Sequence, residues 1–105
     1  MAWYNYLLNF VAGAFLANGV PHFVQGISGN PFQTPFAKPP GVGESSSRVN
    51  VVWGFANLAA GELLLHFFRP VGDGAAKGWA AVALGAFLLS ILMASHFGKV
   101  RAKKV

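Results

Sequence analysis

Glu62, His66 and Arg69 are the residues of this sequence whose types and spacing best suit chemistry. Steps of four and three residues put them within about 60° of one another on a helix, at roughly 100° per residue. Helical side chains lean toward the N-terminus, so Arg69 is placed to reach back to Glu62. The expected arrangement is a ladder of acid, imidazole and guanidinium. Such a ladder is either a self-neutralising ion pair, a binding or proton-linked site for a solute, or a contact to another subunit. Asn57, a little over one turn before Glu62, is its supporting amide.

Each histidine precedes a phenylalanine: His22-Phe23, His66-Phe67 and His96-Phe97. The first and third fall at one depth and His66 at the other end, which excludes a single three-histidine metal site within one copy of the chain. His22 and His96 are the pair that could ligate a haem axially, but nothing in their spacing demands one. A zinc site at Glu62 and His66 lacks further ligands. No cofactor and no metal is therefore expected. The chain holds no cysteine, which removes disulfides and thiolate chemistry. Phosphate-binding glycine loops, a serine elbow and paired carboxylates are missing too, so no enzymatic activity is expected.

The elements that must carry these residues are apolar helices. Val49 to Phe68 is twenty residues with one acid, Glu62. As a helix it is about 30 Å long, the hydrocarbon thickness of a bilayer. Glu62 would lie ~20 Å along it, between the midplane and the far interface. A charge at the bilayer centre costs about 2.5–3.5 kcal/mol on insertion scales, so it marks a candidate functional position. Hydrophobic residues make up 54% of the 105 residues and charged ones 10%, against about 25% charged in soluble domains. The expected architecture is all-α: a single membrane domain over residues 1–105, with three transmembrane helices near 2–20, 49–68 and 78–97.

The connections are unequal. Pro21 is expected to end or kink the first span, with Asn18 and His22 able to bond each other at the helix exit. Residues 25–47 form a Pro- and Gly-rich loop that repeats Pro-Phe (Pro31-Phe32, Pro35-Phe36). Non-helical backbone cannot face lipid, so this loop is expected at the interface, with Phe32 and Phe36 as docking residues. Ser45, Ser46 and Ser47 offer N-caps for the second helix. The short link from Arg69 to Lys77 implies that spans two and three are antiparallel neighbours. A cleaved signal peptide is rejected for the first span: it lacks a positive n-region and carries asparagine in its apolar core.

Packing between helices in lipid relies on small residues and interhelical hydrogen bonds. Asn5, Asn9, Ala12, Leu16 and Gly19 share a face of the first span, and Asn50, Gly54, Asn57 and Gly61 one of the second. The two stripes are expected to meet. Ala81 and Gly85 give the third span a similar contact, with His96 on the same face.

The net charge of +5 concentrates in a basic tail, 99–105, with Lys99, Arg101, Lys103 and Lys104. It suits anionic lipid and comes with no nucleic-acid motif, so nucleic acid is not an expected partner. Six basic residues on the side of the long loop and C-terminus, against Arg69 and Lys77 on the other, put the N-terminus outside. The expected location is a bacterial-type inner or plasma membrane. Three helices enclose no useful aqueous path, so a homo-oligomer or larger membrane complex is expected. The leading function is a small transporter or channel with a Glu62/His66 site; the alternative is a non-catalytic accessory subunit.

Overall fold

Residues 1–103 are described in a computed structural model, and three helices dominate it. They are α1 (Trp3–Ile27), α2 (Ser47–Phe67) and α3 (Ala75–Ala102), the last entered through one 3₁₀ turn at Gly72–Gly74. Between α1 and α2, two short strands, β1 (Phe32–Gln33) and β2 (Glu44–Ser45), pair antiparallel with Phe32 opposite Ser45. Lys104 and Val105, the end of the basic tail, lie outside the described residues. Lys99 and Arg101 extend α3 rather than forming a separate tail.

Pro21 does not end the first helix; α1 runs six residues beyond it to Ile27. Proline removes the hydrogen bond to the Ala17 carbonyl. Packing past that point compensates, because Phe23 lies against Gly54, and Gly26 against Ser47 and Val51 of α2. Ser46 caps α2 by accepting from the Val49 N–H at 3.3 Å.

The helix in the middle is α1. It packs along both α2 and α3, which hardly touch each other. The expectation that spans two and three are neighbours is therefore corrected. A short link brings two helix ends together, but side-chain size decides which faces meet. Toward α2, α1 presents Ala12, Leu16, Gly19 and Gly26 to Gly61, Leu58, Gly54 and Val51. Toward α3, Gly13 faces the backbone of Val82 and Ala86, and Gly85 faces the Phe10 backbone. Ala81 is half-buried beside this contact.

Glycines and polar side chains make up most of the buried residues. Asn9, His22, Gln33, Thr34, Asn50 and Asn57 are buried, whereas Val52, Phe55, Phe67, Phe87 and Leu92 each stay more than half exposed. Large apolar side chains are the ones a water-soluble domain buries most often. Two helical stretches, Trp3–Ile27 and Gly72–Ala102, are long and apolar enough to cross a membrane. α2, which carries Arg48, Glu62, His66 and two buried asparagines, falls short of that measure.

The α1–α3 contact leaves no room for a methyl group at Gly85, whose Cβ would strike the Phe10 carbonyl. Gly85→Ala is expected to destabilise the protein by about 1–3 kcal/mol, the range for overpacking. Gly98→Ala, with open space around it, should gain roughly 0.5–1 kcal/mol of helix propensity. Thermal unfolding of both in one detergent checks the contrast.

Candidate functional site

The Pro- and Gly-rich loop is folded onto the helix ends. The Thr34 carbonyl accepts from the Ala37 N–H at 3.3 Å and the Gly41 N–H at 2.9 Å, closing the turn over the prolines. Gly41 sits at φ +72°, a conformation that disfavours any side chain. The Thr34 and Ser45 hydroxyls bond across the hairpin at 2.6 Å.

Asn50 on α2 latches this loop. Its Nδ2 donates to the carbonyls of Phe32 (3.1 Å), Ser45 (3.1 Å) and Ser46 (3.0 Å), and its Oδ1 lies 2.8 Å from His22 Nδ1. Carbonyls only accept, so the amide nitrogen must face them. The Asn50 oxygen then faces His22, and His22 Nδ1 carries the hydrogen. A parallel chain runs nearby: Asn57 Nδ2 donates to the Trp53 carbonyl (2.8 Å), and Asn18 Nδ2 donates to Asn57 Oδ1 (3.0 Å). Asn18 and His22 thus bond to α2 and not to each other. The interhelical polar pairs are the amides Asn18–Asn57 and the imidazole–amide pair His22–Asn50. Asn9 instead donates to the Phe68 carbonyl at the end of α2 (2.8 Å), and Asn5 is only half-buried.

Between loop and helices lies a cavity of about 420 Å³ lined in part by Asn18, His22, Gln33, Thr34, His96 and Phe97. His96 reaches over from α3 with Nε2 2.7 Å from the Gly41 carbonyl. Aromatic rings gather beside the cavity: Phe32 stands edge-on to His22 (5.3 Å) and Phe97 (4.8 Å), with the Arg101 guanidinium over its ring at 4.9 Å. Phe32 is therefore buried within the fold, which corrects its assignment as a docking residue. Phe36 packs edge-on against Trp53 at 5.3 Å and keeps about half its surface exposed.

The ladder does not form. Glu62, His66 and Arg69 are all exposed on the outside, and among the described residues no ion pair joins them. The physical reason is the end of α2: the helix stops at Phe67, and Phe68 leaves helical geometry with φ −122° and ψ 35°. Arg69 is off the helical face on which the seven-residue step relied. His66 meets Phe67 edge-on at 5.1 Å. Asn57 is buried in the α1 contact, remote in role from Glu62.

His22 and His96, the pair considered for haem, do border one cavity, but each has a ring nitrogen engaged by the protein. Among the described residues no three His, Asp or Glu side chains come together to hold a metal. Sequence reasoning missed Gln33 and Thr34. They stand between the two Pro-Phe pairs, and that interruption of an apolar repeat was their one signal. No family model, curated protein or solved structure matches the chain.

Gln33 is fully buried, and neither Oε1 nor Nε2 has a partner. Burying an unpaired amide costs about 1–3 kcal/mol. Gln33→Leu is accordingly expected to raise the thermal unfolding temperature. An unchanged or lower value would show that the amide is satisfied in solution.

Proposed function

We propose that this chain is a small integral membrane protein that binds a small solute in the loop-covered cavity and serves transport as an assembly of several copies. The observation that carries this reading is the cavity itself. It is an open cleft of mostly apolar surface into which Asn18, His22, Thr34 and His96 bring polar side chains, bordered by the buried and unpaired amide of Gln33. Natural folds keep such groups where a role offsets their cost.

The apolar exterior and polar interior support membrane insertion, with α2 as a third crossing beside the two apolar helices. Trp3, Tyr4 and Trp79, all exposed near one end, suit an interface there. Lys38, Arg48, Lys99, Arg101 and Lys103 favour the cytoplasm for the loop and C-terminus, leaving the N-terminus outside. A second, mostly apolar cleft of about 390 Å³ shares Asn18 with the cavity, which supports passage rather than simple storage.

One observation favours a second reading, an accessory subunit. Glu62 is exposed at the level of Ala12 and Leu16, well inside the length of α1. A carboxylate at that depth is covered by protein far more often than by lipid. A different membrane protein could cover it in place of another copy.

Native mass in nanodiscs and light-scattering swelling of proteoliposomes in glycerol, urea and glycine separate the readings. Transport predicts a discrete oligomer and faster swelling than empty liposomes for at least one solute, reduced in Asn18→Leu. A monomer that swells no faster for any of the three points to the accessory role. Glu62→Gln is expected to leave detergent stability within about 0.5 kcal/mol of wild type, while weakening the assembly.

A further inference from the structure

Three hydrogen-bond chains begin at backbone carbonyls and end at the cavity. The Trp53 carbonyl orients Asn57, which orients Asn18. The Phe32, Ser45 and Ser46 carbonyls orient Asn50, which orients His22. The Gly41 carbonyl orients His96 directly. A carbonyl cannot donate, so the polarity of every chain is fixed at its origin.

The last atom in each chain is then also fixed. Asn18 keeps its Oδ1; with one ring hydrogen each, placed by those bonds, His22 keeps Nε2 and His96 keeps Nδ1 as the second ring nitrogen. Each belongs to a residue that lines the cavity, and the bonds these residues make within the described chain use their other polar atoms. Gln33 at the wall adds an amide with both capacities unused. The cavity is thus rich in acceptors.

We infer that the cavity recognises a neutral polyhydroxylated group, whose O–H donors meet the acceptors of Asn18, His22 and His96. This rests on the solute-binding reading above and names its chemical class. A hydroxyl donates to each acceptor and keeps its own lone pairs for a further donor. Phe97 and Pro35 give the apolar wall on which the C–H face of a polyol lies. An organic ammonium would also donate, but no carboxylate lines the cavity, and the Arg101 guanidinium stands over the Phe32 ring. A cation removed from water without a counter-charge is disfavoured. An anion offers no donors to three acceptors.

The polyhydroxyl group can arrive free or as a lipid headgroup, and the experiment separates the two. Wild-type protein in phosphatidylcholine nanodiscs is dialysed to equilibrium against tritiated myo-inositol. A second preparation contains monogalactosyl diacylglycerol, whose retention is read by native mass spectrometry. Binding in at least one arm is expected, about tenfold weaker in Asn18→Leu and in His96→Phe, the equivalent of one hydrogen bond. His96 is exposed, so its variant tests the site even if Asn18→Leu fails to fold. Binding in the first arm identifies a free polyol; binding in the second alone identifies a headgroup. Binding of radiolabelled ethanolamine in place of both overturns the chemical class yet leaves solute binding standing. No binding of any of the three overturns the inference, and with no swelling in glycerol, urea or glycine the solute-binding reading falls as well.

Discussion

The amide of Asn50 is the contact on which the rest of the structure depends. One side chain holds both strands of the hairpin, the start of its own helix and the ring of His22 on the neighbouring helix. Where the exterior is apolar, burying more apolar surface does little to tell one arrangement of helices from another. Direction has to come from hydrogen bonds, which are strong in a low-dielectric interior and costly when half-made. Asn50 supplies that direction at the point where loop, α1 and α2 converge. Without it the hairpin keeps the Thr34–Ser45 hydroxyl pair, a short ladder, the His96–Gly41 bond and the ring contacts of Phe32 and Phe36.

Close backbone approach is the second constraint, and it explains why α1 is central. That helix has two faces of small residues: Ala12, Gly19 and Gly26 toward α2, and Gly13 toward α3. α3 answers with Gly85 and Gly78, and α2 with Gly54 and Gly61. Each outer helix has one such face and turns its bulky residues outward. Two helices with one face each, and a third with two, have a single way to pair every face.

Much of this order is readable in the chain. Three long apolar runs give three helices, and the four-and-three recurrence of Asn50, Gly54, Asn57 and Gly61 marks a face that the structure buries. Local rules failed where tertiary contacts or an element's end intervened. Pro21 reads as a stop, yet the packing of Phe23 and Gly26 carries the helix through. Arg69 reads as a partner for Glu62, yet the helix ends before it. The short 69–77 link reads as adjacency, yet the small faces send α2 and α3 to α1. The cavity was hardest to foresee, because Gln33, Thr34 and Gly41 belong to a loop without periodicity and meet His96 from a distant helix. The equal depth of His22 and His96 was legible; what joins them was not.

The weight given to each candidate site follows from the same physics. Glu62 and His66 are charged or chargeable groups on an outside face, and their chemistry depends on whatever covers them. The cavity residues are positioned by the chain itself, with orientations propagated from backbone carbonyls through Asn50 and Asn57 to His22 and Asn18. Such an amide cannot flip without leaving a buried carbonyl or amide unpaired, at about 1–3 kcal/mol for each group lost. The acceptor pattern is therefore as rigid as the helices that carry it, which is the preorganisation a binding site needs. Gln33 fits this account: its buried amide has no partner among the described residues and borders the same cavity as Asn18, His22 and His96.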